Sequence, residues 1–334
     1  MLISIALCTY NGAQYLQEQL DSIANQTRLP DELVICDDRS QDNTFEIISN
    51  FSSKAPFPVL VSLNEKNLGS TKNFEKAIGL CSGDIIFLSD QDDVWEPLKL
   101  EYIEKVFSTS SNVGAVFTDA EVVDENLKPL GYRLWQSIGF NEKKQNHFIQ
   151  GKFIEVLLKR NFITGSTMAF RSEFKELFFP IPDIWVHDGW IALLIAFTSD
   201  LYLISKPLIK YRQHSMQQVG AGDEPLNLRE KVSKKIDQLV NLDTNYYGFK
   251  SDCTRYMLAY EHLVNSHSFS IKKDKLQLLK SRATHFCIRS NFPVNKAKRI
   301  PIIIKELFNM NYHCYSNGIS SAVGDLLRSN TKAR

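Results

Sequence analysis

Residues 85–95, IIFLSDQDDVW, restrict the fold more than any other stretch of this chain. The apolar run Ile85-Ile86-Phe87-Leu88 is long enough for a buried strand and too short for a helix. It leads straight into Asp90, Asp92 and Asp93. Carboxylates this close repel one another, so they call for a counter-charge. A strand that ends in acids belongs at the carboxyl edge of a parallel sheet, where α/β proteins hold ligands. Oxygen ligands suit a hard cation, Mg²⁺ or Mn²⁺. The competing reading is a solvated acidic loop ahead of a helix that Asp93 caps, and this stretch by itself does not choose.

The rest of the chain supplies a parallel sheet for that strand. Residues 2–8 form a β-rich apolar run that Asn11-Gly12 interrupts, and residues 13–26 place Leu16, Leu20 and Ile23 on one helical face. Residues 33–36 and 59–63 read as strands, each followed by a helical pattern, the second over residues 70–80. Repeated strand–helix units predict right-handed crossovers and a mostly parallel sheet flanked by helices, an α/β fold. Further strands are predicted over 113–118, 201–204 and 208–212, and a helix opens at Trp185–Trp190. Residues 162–170, FITGSTMAF, carry Gly165 and small hydroxyl residues inside an apolar run, a mark of close approach. Residues 125–150 look polar and irregular, with Trp135 and Phe140 outside any core pattern. Ala221-Gly222-Asp223-Glu224-Pro225 reads as a linker. Beyond it, helical stretches are expected near 226–241, 251–266 and 271–290, which divides the chain into a catalytic domain, 1–222, and a helical extension, 223–334.

Charge follows that division. Residues 1–225 hold 20 Lys+Arg against 30 Asp+Glu, net −10, and residues 226–334 hold 19 against 8, net +11. Lys272, Lys273, Lys275, Lys280 and Arg282, then Lys296, Lys298, Arg299 and Lys305 around the apolar run 300–304, suit an anionic membrane surface. A solvated helical surface or a homodimer contact is the other reading. Cys8, Cys36, Cys81, Cys253, Cys287 and Cys314 show no CxxC spacing, and Cys8 and Cys36 lie in strand-like runs as buried thiols, which fits a reducing compartment. The N-terminus has no basic segment before its apolar run, and no apolar run approaches the ~20 residues of a membrane span. A cytoplasmic protein is expected, with contact at the inner face of the plasma membrane if the basic surface binds lipid. No nucleic-acid partner is expected.

In order along residues 2–215, CTYNG, CDDRSQDNT, NLGSTKNF, LSDQDDVW, ITGSTMAF, WVHDGW and YRQH resemble the inverting, nucleotide-sugar-dependent glycosyltransferases of the second glycosyltransferase family, which have the GT-A fold. SDQDDVW, HDGW and YRQHSMQQVG are most similar to bacterial rhamnosyltransferase-like members that build surface polysaccharides. The resemblance implies transfer of a sugar, rhamnose among the candidates, from a dTDP- or UDP-sugar to a hydroxyl of a surface glycan or lipid-linked acceptor. A divalent cation would neutralise the departing diphosphate. By the same resemblance Asp92 is the main ligand of Mg²⁺ or Mn²⁺, with Asp90 on the metal or the donor ribose, Asp93 in support and His214 on the metal or diphosphate. Thr9, Tyr10 and Gln91 fall on the nucleotide-sugar, Tyr10 able to stack on the base, and Asp37 is placed to accept from a pyrimidine imide N–H. Lys72 stands where the family commonly has arginine, and lysine lacks the bidentate fork for phosphate. Asp188 is implied as the base that deprotonates the acceptor, in a His187-Asp188 pair where other members have Glu-Asp. Trp185, His187 and Trp190 fall on the acceptor side. Taken singly, Asp188 also reads as a helix cap, Asp37 as a turn aspartate, and both tryptophans as core.

Two rivals stand beside this reading. A sugar nucleotidyltransferase would want a glycine-rich loop with a basic residue after the first strand, but CTYNG offers only Gly12; GxxxxGK and GxGxxG are absent too. A non-catalytic nucleotide-sugar-binding scaffold would not need both Asp92 and Asp188.

Overall fold

A computed structural model describes residues 1–215, 217, 245–266, 268, 269 and 271–328. The linker 221–225, the stretch 226–241 and most of the segment after His214 lie outside the described residues. The chain forms two compact units, one of residues 1–153 and 162–225, the other of residues 154–161 and 226–334.

The first unit is built on β1 (Ile3–Thr9), β2 (Glu32–Asp37), β3 (Val59–Leu63) and β4 (Ile85–Ser89), with α1 (Leu16–Ala24), α2 (Thr44–Ser52) and α3 (Ser70–Leu80) between them. The order β3-β2-β1-β4 is wholly parallel. β1 and β4 are buried at every residue, as strands covered on both faces must be. Their ends bring Thr9, Asp37 and Ser89 to one sheet edge, because Thr9 is in register with Asp37 and Leu7 with Ser89.

After the acidic loop come β5 (Val94–Trp95), α4 (Lys99–Thr109), β6 (Val113–Val123) and β7 (Pro129–Arg133), then α5 (Leu134–Ser137) and α6 (Glu142–Ile149); α7 (Phe153–Leu157) falls, after its first residue, in the second unit. β8 (Met168–Arg171), α8 (Lys175–Phe178), α9 (His187–Thr198) and β9 (Asp200–Arg212) complete the unit. The sheet continues β4-β8-β6-β9-β5, with β7 on β6. β8 runs antiparallel to both β4 and β6, so this half of the sheet is mixed. β6 extends through Val123, and the two strands expected over 201–212 are one, β9, in parallel with it.

The segment 125–150 is not irregular. Trp135 and Phe140 are buried and, with Phe117, Phe148 and Phe162, form an aromatic cluster with ring centroids 5.1–6.1 Å apart. Short helices space these rings unevenly, which left no periodic signal.

The second unit contains α10 (Asn245–Asn265), α11 (Lys273–Ser290), α12 (Ile300–Phe308), α13 (Asn311–Tyr315) and α14 (Ile319–Leu327). Cys253 and Cys287 form a disulfide between α10 and α11, a pairing their spacing did not announce; Cys8, Cys36 and Cys81 are free and buried. Two of the basic residues expected on a membrane surface lie inside this unit. Arg282 donates to Tyr315 O and Tyr256 Oη, and Arg299 to the carbonyls of Pro293, Val294, Asp325 and Arg328. Among the described residues no helix is long and apolar enough to cross a membrane.

Candidate active site

The loops that leave β1 and β2 are tied together by hydrogen bonds. Thr9 Oγ1 donates to Asp37 Oδ2 at 2.7 Å, and Ser40 donates to the same carboxylate through its N–H (2.8 Å) and its hydroxyl (2.6 Å). Asp37 is buried, so it braces the two loops rather than standing open for a base. Gly12 N donates to Thr44 Oγ1 and Ala13 N to Asp42 Oδ2. Within this rigid frame Tyr10 is 46% exposed, its ring available for stacking.

The acidic loop is fastened to the same frame by Gln91. Its Oε1 accepts from Tyr10 N (2.8 Å) and its Nε2 donates to Tyr10 O (3.0 Å). The amide lies flat against Gly12, where a Cβ would stand 2.2 Å from Oε1. Gln91 thus positions the two neighbouring carboxylates relative to the β1 loop.

Asp92 and His214 meet, with Oδ2 to Nε2 at 2.9 Å, although they are 122 residues apart. His214 also lies against the Tyr15 ring, centroids 4.7 Å apart. Arg212, at the end of β9, is 1% exposed. Its backbone N–H donates to Asp93 Oδ1, its Nε to Asp92 O (2.7 Å) and an Nη to Glu125 O; it ion-pairs with Glu18 and covers the Tyr15 ring. Lys99 lies behind the loop, fully buried, its Nζ donating to Ser166 O at 2.6 Å and 3.6 Å above the Trp95 ring. Burial pushes the Lys99 ammonium well down, against the pull of Asp93 and Asp90. Burial likewise drives Asp93 up to about 7 and Asp90 well above the carboxylate range, and repulsion from Asp92 adds to both. Neither Lys99 nor Arg212 was singled out from the sequence. Lys99 carried a signal, since it falls in line with Ile103 and Phe107 on the buried face of α4.

Asp188 stands in the first turn of α9, one residue inside it rather than at the cap, which is Val186. Its carboxylate accepts from Gly165 N (3.0 Å) and from Gly189 N. Asp188 is close enough to the acidic loop to help raise the Asp90 pKa. Gly165 is needed here for close approach: an added Cβ would lie 3.0 Å from His187 Nε2 and 3.6 Å from Asp188 Cβ.

Three residues expected on the acceptor side are interior. Trp190 is fully buried and its Nε1 donates to Phe178 O, Trp185 packs on it at 5.5 Å, and both serve as core rather than as a sugar platform. His187 is buried against Phe74, ring centroids 4.0 Å apart, and burial lowers its pKa to about 3, which keeps it neutral. Lys72 is held by Glu75 (2.8 Å) and Ile181 O (2.5 Å), with Asp183 at 3.7 Å, so its ammonium is committed within the protein instead of reaching a phosphate.

The acidic loop has the chemistry of a hard-cation site. Its carboxylates are clustered acceptors, the His214 imidazole offers a nitrogen beside Asp92, and the buried Asp93 Oδ2 has no hydrogen-bond partner. Asp92 and His214 would hold such an ion, with Asp90 beside them. Among the described residues, no group of three or more His, Cys, Asp or Glu side chains is gathered into a ready-made metal site.

Comparison with known proteins agrees with this fold. Residues 4–178 match the family model for glycosyl transferase family 2. An uncharacterized glycosyltransferase of Nostoc sp. is 31% identical over 76% of this chain and 80% of its own. The dTDP-rhamnosyl transferase RfbG of Shigella flexneri is 30% identical over 65% of this chain and 74% of its own. Among solved structures, residues 1–349 of S. aureus TarS with UDP-GlcNAc align at a TM-score of 0.54 and 16% identity, covering 96% of this chain and 90% of that one, a likeness of fold. The chain therefore belongs to glycosyl transferase family 2 and is a glycosyltransferase.

Proposed function

We propose that this protein transfers one sugar, with inversion, from a nucleoside diphosphate sugar to a hydroxyl of a surface glycan or its lipid-linked precursor. The observation that carries the reading is the convergence of two carboxylate groups from distant parts of the chain. Asp90 and Asp92 follow β4, Asp188 opens α9, and the charge of Asp188 is felt at Asp90. The Gly165 N–H orients Asp188, and the carbonyl of the next residue, Ser166, receives Lys99.

In this reading the acidic loop faces the diphosphate. A bound Mg²⁺ or Mn²⁺ there would act as a Lewis acid on the departing nucleotide. Asp92 and His214 would hold it, Arg212 fixes the loop, and Tyr10 would stack on the base. Asp188 takes the proton of the acceptor hydroxyl as it attacks the anomeric carbon. Its two backbone donors aim the carboxylate, as a base must be aimed. The similarity to RfbG favours a dTDP-deoxysugar donor, rhamnose first. We further propose that the first 222 residues are the catalytic domain, that the helical part is a separate module, and that the protein works in the cytoplasm.

The test is nucleotide release from dTDP- and UDP-sugars, with and without Mn²⁺ or Mg²⁺, by the wild type and by Asp188→Asn. Turnover that requires a divalent cation and falls in the variant at unchanged donor affinity supports the reading. Equal turnover by both proteins, or none with any nucleotide sugar, overturns it.

A further inference from the structure

The last helices of the chain have an unusual surface. Residues 291–328 contain two acids, Glu306 and Asp325. Both are buried and paired, Glu306 with His285 at 2.6 Å and Asp325 with Arg289 at 2.6 Å and Tyr312 Oη at 2.8 Å. Arg299 and Arg328 are buried as well. The charged side chains this segment leaves on the surface are Lys296, Lys298 and Lys305, all positive.

Its exposed apolar residues are ordered. Ile300, Ile304 and Phe308 lie one turn apart on α12, and Phe308 is 89% exposed. Ile319, Val323 and Leu327 repeat that spacing on α14. The adjoining faces account for the core: Ile303 and Ala322 are buried with Phe292 and Tyr312, and Leu307 and Leu326 pack against them. Each helix is therefore apolar over an arc wider than its core contact, and folding explains only the buried edge of that arc. Lys296 joins the two outer stripes. It precedes Ile300 by one turn, and its Nζ donates to Leu327 O at 2.8 Å.

We propose that this face docks on the surface of an anionic lipid bilayer. The two stripes enter the boundary between headgroups and acyl chains, and the three lysines meet lipid phosphates. Apolar residues rimmed by cations and free of exposed acids are what such a surface selects. A second copy of the chain is a poor occupant, because a two-fold contact would bring like charges together with no acid between them. The inference does not depend on the donor or on the base proposed above.

The experiment is sedimentation of the full chain with vesicles of phosphatidylcholine alone or mixed with phosphatidylglycerol, alongside nucleotide release as a check of the folded enzyme. The expected result is binding to the mixed vesicles alone, weakened by salt. Replacing Lys296, Lys298 and Lys305 together with glutamine should lower partitioning on the order of 10²-fold. Ile304→Ser with Phe308→Ser should lower it at least about tenfold. Both variants should keep wild-type nucleotide release, so a failure here is distinct from a failure of the glycosyltransferase mechanism. Absence of binding, equal binding to neutral vesicles, or wild-type binding by both variants overturns the proposal. So does a concentration-dependent dimer that Phe308→Ser dissolves, which would assign the face to a second copy.

Discussion

Replacing Gly12 with alanine should loosen the acidic loop through Gln91 while leaving every acidic side chain in place. An alanine Cβ would stand 2.2 Å from Gln91 Oε1 and 2.4 Å from its Cδ. The end of a glutamine can swing away, so the clash itself is relieved. What is lost is the reciprocal pair with Tyr10, two bonds of 2.8 and 3.0 Å. At a net ~1 kcal/mol each, the loss is ~2 kcal/mol. For a unit of this size that is a fall in Tm of about 4–8 °C. Gln91→Ala removes the same two bonds by another route. The double variant should therefore be no less stable than either single one, a coupling of ~2 kcal/mol in a double-mutant cycle. Thermal and urea unfolding of the four proteins measure it, and the donor KM should rise in all three variants together. Additive losses would refute the reasoning, since they would mean that Gly12 and Gln91 act separately.

Asp188→Asn should fold and bind donor normally while transfer falls by at least ~10²-fold, read from initial rates beside calorimetric donor affinity. Asp92→Ala should bind nucleotide equally with and without Mn²⁺, whereas the wild type binds more tightly with it; full wild-type activity in excess chelator would contradict the assignment. Gly165→Ala should lower kcat more than donor affinity, because the new methyl presses on His187 and Asp188 and leaves the nucleotide loops alone. The second unit should be acid-sensitive. Burial lowers the His285 pKa from 6.5, so below pH 6.5 the unfolded chain binds the proton first and stability falls with pH. Glu306, lowered by its bond to His285 against the effect of burial, is ionised when folded; its contribution holds above the ordinary 4.5 and is lost as pH drops through its lower folded value. Hydrogen exchange of α11 against pH should show this slope, and His285→Gln should flatten its upper part.

The parallel half of the sheet was legible because strands covered on both faces are written as unbroken apolar runs, and their acidic ends followed directly. Asp188 was legible as a helix start, although its two backbone donors were not. β8 is four residues long, and nothing in FITGSTMAF distinguishes an antiparallel insertion from a parallel strand. For Trp185 and Trp190 an acceptor-side role and a core role both stood open, because indole suits a sugar as well as a core, and residue type does not carry burial. Lys99 and Arg212 were missed since cations are normally solvated; here backbone carbonyls and aromatic rings receive them. Arg282 and Arg299 misled in the opposite sense, counted as surface charge though both are internal.

β9 serves two masters along its thirteen residues. It pairs with β6 from Asp200 to Arg212, and near its end it pairs with β5, the two residues that follow the acidic loop. The register with β6 shifts between Val113 and Ala115 and again between Thr118 and Glu121, then holds through Glu121–Lys210, Val122–Tyr211 and Val123–Arg212. Length differences are thus absorbed upstream. A residue inserted before those shifts has somewhere to go; one inserted after them would turn Tyr211 and Arg212 to the opposite faces and carry His214 away from Asp92. Directed evolution of this enzyme should therefore find insertions and deletions tolerated in the early part of the strand and excluded from its last turn of pairing, which makes β9 the ruler that any redesigned pocket must respect.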